Sequence, residues 1–150
     1  MKEIKLGIIG TGAIFMLSHA NAINKIPNAK ITNVFDINHE RALKCAKDWN
    51  IPKVAKSVDE LLENKNIDAV IIATPNNTHC EIALKSAEAR KHIFCEKPIS
   101  INLQEAYQMI ESCKKNKVQL QIGFNQRFWK QVEIVKELLN INFIGKIHSF

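Results

Sequence analysis
Two textures alternate along the chain. Short segments are apolar at nearly every position, as in Ile4 to Ile9 and Ala69-Val70-Ile71-Ile72-Ala73, while longer segments set apolar residues three and four apart among charges. The short runs read as strands buried on both faces, and the three-four spacing reads as helices with one buried stripe. The pattern predicts strands over 4–9, 31–35, 69–73, 92–95, 118–124 and 144–150. It predicts helices over 14–25, 39–49, 78–89, 102–116 and 132–139, with a shorter one opening at Ser57 and running through Leu62. Pro27-Asn28 ends the first helix, and Ser57 with Glu60, Thr78 with Glu81 and Asn102 with Glu105 have the spacing that caps a helix start. Alternating strands and helices imply a parallel sheet with right-handed crossovers and helices on both faces. The fold class is therefore α/β, a doubly wound parallel sheet, which binds ligands outside the carboxyl ends of its strands.

The residues that carry chemistry fall at those ends. Gly10-Thr11-Gly12-Ala13-Ile14-Phe15 joins the first strand to the first helix. The first glycine permits a tight turn, the second lets backbone approach a diphosphate, and the helix start offers free N–H groups and a positive dipole end. Phe15 replaces the third small residue of the dinucleotide fingerprint, so its ring requires a displaced helix or must turn outward. Two glycines alone would also suit a plain structural corner. Asp36 changes that reading, because it closes the second strand where a carboxylate would hold ribose hydroxyls. The combination is that of a Rossmann-type dinucleotide site. The Asp36 charge would repel a 2′-phosphate, which favours NAD over NADP, although Arg41 is near enough to offset part of that repulsion.

Two later strand ends add polar clusters. Thr74-Pro75-Asn76-Asn77-Thr78-His79 stops one strand at its proline and caps the next helix, and by itself asks for no more than that. Glu96-Lys97-Pro98 follows the strand over 92–95. The carboxylate can hold the ammonium, and the ammonium can meet a substrate hydroxyl or carbonyl. A lysine so placed serves as general acid or base if its pKa is lowered. A surface ion pair is the alternative.

Taken in order, Gly7-Ile8-Ile9-Gly10-Thr11-Gly12-Ala13-Ile14, Ala73-Thr74-Pro75-Asn76, His79, Glu96-Lys97-Pro98-Ile99, Gly123-Phe124-Asn125-Gln126-Arg127-Phe128 and Ile144-Gly145-Lys146-Ile147 resemble the Gfo/Idh/MocA family. The resemblance runs the length of the chain. It implies an NAD(P)-dependent oxidoreductase that moves a hydride between nicotinamide and a hydroxyl-bearing carbon of a sugar, polyol or related small molecule. By position, Gly10, Gly12, Ala13 and Ile14 would contact the diphosphate and Asp36 the adenosine ribose. Thr74, Pro75, Asn76 and His79 would line the cofactor channel. Glu96 would contact the nicotinamide ribose, and Lys97 would be the catalytic residue beside the nicotinamide. Asn125 and Arg127 fall where the family meets cofactor or substrate, and the bond before Pro98 is often cis there. The departures are Phe15, Arg90 where a glycine usually closes the helix, and Lys130 where a proline is common. The resemblance divides the chain into a dinucleotide-binding domain over 1–125 and, over 126–150, a connecting helix and first strand of a second, substrate-binding domain. The reaction would need that second domain, so residues 1–150 alone are expected to be inactive. The other reading is a non-catalytic dinucleotide-binding module or truncated remnant, self-associating through a strand over 144–150 as a homo-oligomer.

Composition narrows the classes further. With 46% hydrophobic and 24% charged residues in 150, the chain has the makeup of one ordinary globular core. The net charge of +6 is spread without basic runs, which argues against nucleic acid and suits an anionic cofactor. No apolar run reaches the roughly 18 residues of a membrane span, and the start lacks a leader's longer apolar region, so a cytoplasmic protein with no membrane partner is expected. Cys45, Cys80, Cys95 and Cys113 form no close pair and no zinc spacing, so they are expected as small apolar residues, with no metal site.

Overall fold
The computed structural model describes residues 2–148. Six strands form one sheet: β1 (Ile4–Ile9), β2 (Ala29–Phe35), β3 (Lys53–Val54), β4 (Ala69–Ile72), β5 (His92–Cys95) and β6 (Leu120–Ile122). All five strand pairings are parallel, in the order β3-β2-β1-β4-β5-β6. The order reverses between β1 and β4, which opens a crevice at their carboxyl ends. The helices between strands are α1 (Ala20–Ile23, preceded directly by a π turn, Phe15–His19), α2 (His39–Asp48), α3 (Val58–Glu63), α4 (His79–Glu88) and α5 (Leu103–Asn116), with α6 (Lys130–Asn140) after β6.

The central strands β1 and β4 bury both faces, which is why their sequences are mostly apolar. In β1, Leu6 and Ile8 pack with Phe15, Ala20, Ile23, Ala42 and Cys45 beneath α1 and α2. Ile9 points the other way and packs with Leu61, Ala83, Met109 and Cys113 beneath α3, α4 and α5. Gly7 shares that second face, and a Cβ there would lie 2.7 Å from Leu61 Cδ2, so its bareness admits α3 against the sheet. All four cysteines are buried and free. Burial pushes the Cys95 thiol up to about 12 and the Cys45 thiol to about 11, so both act as apolar filling.

Side-chain caps open three of the six α-helices, α2 at Asn38, α3 at Ser57 and α5 at Asn102. Ser57 Oγ accepts the Glu60 N–H at 3.0 Å, and Asn102 Oδ1 accepts that of Glu105 at 2.8 Å while its amide donates back to Glu105 Oε1. Thr78 departs from the expected capping box. Its hydroxyl bonds Thr74 Oγ1 and Pro75 O, both at 2.7 Å, and ties down the preceding loop instead. Arg90 does close α4 in the left-handed region, at φ 58°, where glycine would be unstrained. Two strand expectations need correction. The strand over 118–124 is confined to Leu120–Ile122. In the segment over 144–150, residues through His148 are turn and irregular chain, with no neighbouring strand to share a ladder; Ser149 and Phe150 lie outside the described residues. The two-residue β3 carries too little sequence for a period. Among the described residues, no helix is long and apolar enough to cross a membrane.

Candidate functional site
The turn after β1 is fixed by its neighbours' backbones. Gly10 N–H donates to Phe35 O at 2.8 Å, and Ala73 N–H donates to Ile9 O at 2.8 Å, so the ends of β1, β2 and β4 are tied together. Gly10 has φ +93°, and a Cβ there would lie 2.5 Å from Ala73 O. At Gly12 a Cβ would meet nothing within 4 Å. That open space lies at the helix start. Met16 N–H bonds Gly12 O at 3.1 Å, so the amides of Ala13, Ile14 and Phe15 fall in the first turn, where a helix supplies no acceptor. A cradle bare of side chain beneath unpaired N–H groups fits a dinucleotide diphosphate.

Phe15 does not obstruct this cradle. Its ring is fully buried in the core with Ile8, Val34 and Ala42. The helix widens here into the π turn, with Ala20 N–H bonding Phe15 O. The ring therefore does not turn outward, and the segment that carries it is the π turn.

A cleft of about 500 Å³ follows, walled by Gly10, Gly12, Ala13, Ile14, Asp36, Arg41, Thr74, Pro75 and Thr78 among others. Asp36 is buried at its edge with both oxygens engaged. Oδ2 accepts the Thr11 N–H at 2.8 Å and hydroxyl at 3.0 Å; Oδ1 accepts the Asn38 N–H at 2.9 Å and lies 3.1 Å from Arg41 Nη2. Burial pushes its carboxyl up, but the hydrogen bonds from Thr11 and Asn38 and the Arg41 charge outweigh that and hold it below the ordinary value. Asp36 thus stands at this edge as a carboxylate.

Two residues expected to line the cofactor channel are not on the wall of this cleft. Asn76 is exposed, in a 3₁₀ turn over Asn76–Thr78, and is not on the wall. His79 is fully buried, with Nδ1 2.8 Å from Pro98 O and Nε2 3.0 Å from Thr74 O. It spans the loops after β4 and β5 from behind. The reason is α4, whose first residue it is and whose inner face points at the sheet.

A second cleft of about 590 Å³ adjoins the first and shares Ile14 with it; its wall includes Glu96, Lys97, Gly123, Asn125 and Arg127. The Lys97–Pro98 peptide is cis. Glu96 is buried and Lys97 exposed, and they do not form the side-chain ion pair that adjacency suggested. Glu96 Oε2 instead accepts the Lys97 backbone N–H at 3.1 Å, which leaves the lysine side chain to the cleft. Glu96 Oε1 lies 2.7 Å from His19 Nε2. Arg127 sits with its guanidinium 5.5 Å from the centre of the Phe124 ring. His19 and Gly123 were not among the expected site residues. A lone histidine in an apolar helix gives no signal of a partner 77 positions away.

The Gfo/Idh/MocA family, described as an oxidoreductase family with NAD-binding Rossmann fold, matches residues 4–124. The chain is 37% identical to myo-inositol 2-dehydrogenase of Thermotoga maritima over 145 residues, which is 97% of this chain and 43% of that protein. It is 39% identical to glucose-6-phosphate 3-dehydrogenase of Bacillus subtilis, covering 97% of this chain and 40% of that one. Its fold matches that of the WlbA dehydrogenase of Bordetella pertussis, solved with NADH and UDP-GlcNAcA, with a TM-score of 0.90, 25% identity, and coverage of 97% of this chain and 42% of the other. The chain therefore spans less than half the length of these relatives. With the sheet order, the glycine turn and the matched residues in agreement, this chain belongs to the Gfo/Idh/MocA oxidoreductases and forms their NAD-binding Rossmann domain.

Proposed function
We propose that this chain is the cofactor-holding part of an NAD-dependent dehydrogenase acting on a polyol or sugar. The observation that carries the reading is a pair of clefts that share Ile14 in their walls, the bare Gly12 cradle in one and Glu96 and Lys97 in the other. In this reading Gly10, Gly12, Ala13 and Ile14 hold the diphosphate, and Asp36 holds the adenosine ribose. Thr74 and Pro75 form the far wall, while His79 fixes those loops without touching the cofactor. Glu96 accepts from the nicotinamide ribose, and Asn125 and Arg127 border the nicotinamide end. NAD is preferred to NADP because a 2′-phosphate would face the buried Asp36 carboxylate, whose charge Arg41 offsets only in part.

When bound, the nicotinamide supplies the hydride acceptor. The chain's own part in the chemistry is Lys97 Nζ, which hydrogen-bonds the substrate oxygen and exchanges the hydroxyl proton. A polyol or sugar is supported by the relatives that carry such names, the inositol and glucose-6-phosphate dehydrogenases. We place the domain boundary at 125/126. Beyond it α6 has no buried residue, although it carries Val132, Ile134 and Val135, an apolar face suited to a covering substrate domain. Residues 1–150 alone would hold the cofactor with little turnover, since positioning of the donor carbon contributes roughly 7–11 kcal/mol in such reactions.

Calorimetric titration of the 150-residue chain tests the reading. NADH and ADP bind, and NADPH binds more weakly than NADH. Absence of binding by both NADH and ADP refutes it.

A further inference from the structure
We infer that His19 is a positioning residue for Glu96, so that the first helix sets the acceptor geometry of the cleft beyond Ile14. This deepens the dinucleotide-binding reading and rests on it. The local cause is the π turn, a rare geometry that tends to occur at functional sites. The turn runs over Phe15–His19 and ends on the histidine, delivering its ring to the interior, where it is buried.

The ring meets Glu96 with Nε2 2.7 Å from Oε1. A carboxylate can only accept, so the shared proton is on Nε2. The imidazole is itself held, edge-on to Phe94 at 5.4 Å between centroids and 73° between planes. Phe94 and Glu96 lie on the same strand end, so the ring that fixes His19 and the carboxylate it grips move together. The other side of Glu96 is closed as well. A Cβ on Gly123 would lie 3.2 Å from both Glu96 Oε1 and Phe94 Cζ, and Oε2 takes the Lys97 N–H.

A carboxylate has about four acceptor positions. His19 and Lys97 use one on each oxygen, and the remaining ones belong to a group that lines the cleft. The ligand chemistry that suits them is a pair of neighbouring hydroxyls, as on a ribose, each donating to one oxygen. Removing His19 frees Oε1 to rotate, and the two acceptors no longer stand in register. The diphosphate cradle and Asp36 make no hydrogen bond to His19 and are left as they were.

The test separates the two clefts. ADP reaches the cradle and Asp36 only, whereas NADH also reaches Glu96. In the 150-residue chain, His19→Leu should keep ADP affinity within about twofold and weaken NADH about tenfold, the loss of one charge-assisted hydrogen bond. His19→Gln, whose amide can donate to Oε1, should recover most of the NADH affinity. Equal weakening of ADP and NADH, or no change in either, overturns the inference, as does a glutamine variant no better than leucine. If the leucine variant does not fold, histidine nitrogen resonances of the unmodified chain decide instead: NADH shifts the His19 signals and ADP does not, and a His19 signal indifferent to NADH overturns the inference. An unmodified chain that binds neither probe refutes the dinucleotide reading and the inference with it.

Discussion

Replacing Gly10 and Gly12 separately by alanine should divide folding from ligand binding within one turn. At Gly10 the backbone has φ +93°, and the new methyl would lie 2.5 Å from Ala73 O and 2.7 Å from its carbonyl carbon. Those are backbone atoms at the end of β4, tied to β1 through the Ala73 N–H, so no side chain can yield. The left-handed conformation costs about 1–2 kcal/mol, and forcing a methyl into a packed site about 1–3 kcal/mol. Gly10→Ala should therefore destabilise by about 2–5 kcal/mol, which at this length lowers Tm by roughly 5–20 °C. At Gly12 the same methyl meets nothing within 4 Å, and φ is not positive. Stability should change by no more than about 0.5 kcal/mol. The methyl occupies the cradle, however, and displacing the diphosphate from one charge-assisted N–H costs about 1.5–3 kcal/mol, or about 10–100-fold in Kd for NADH. Differential scanning calorimetry reads the first effect and titration calorimetry the second. Equal loss of Tm in both variants, or undiminished NADH binding by Gly12→Ala, would refute the reasoning.

The remaining predictions probe the supports of the site and the fold. Asp36 titrates below its ordinary 3.8 in the folded chain, so its stabilisation is complete above that pH and is lost as pH falls through the lower folded value. Urea unfolding should find Asp36→Asn less stable than the unmodified chain at neutral pH, with the gap closing in acid; a gap that widens in acid contradicts this. Lys91 is buried and donates to Asn64 O at 2.8 Å and Ile67 O at 2.9 Å; Lys91→Met removes both bonds and leaves Ile67 O without its donor, while Asn64 O keeps the Ile67 N–H, and should destabilise by about 1–3 kcal/mol. Its NADH affinity should not change, because Lys91 lines neither cleft. Arg90→Gly relieves a left-handed cap and should raise stability by about 0.5–1 kcal/mol, seen as a Tm increase of about 2–4 °C.

The strands with a buried residue at nearly every position were legible because burial on both faces leaves a mark on every residue. β1 and β4 fall within a residue of the expected bounds. β6 did not, since an edge strand is buried less completely and its flanks, Val118 and Phe124, belong to loops. The expected capping box at Thr78 failed for a related reason. The spacing is correct, but the hydroxyl is turned to Thr74 and Pro75 and does not accept an N–H of the first turn, and spacing cannot rank those two uses.

By itself the sequence determined the doubly wound sheet, the turn at Gly10 and Gly12, and the placement of Asp36, Thr74, Glu96 and Lys97 at strand ends, because strand periodicity and turn chemistry act over a few residues. Tertiary structure decided where Phe15 went, that His79 is buried between the loops after β4 and β5, that Glu96 is gripped by His19 and not by its neighbour's ammonium, and that the two clefts share Ile14. Each of these depends on distances between segments far apart in the chain. Such distances are fixed by how α1 and α4 pack on the sheet, and a local pattern of residue types carries no record of them.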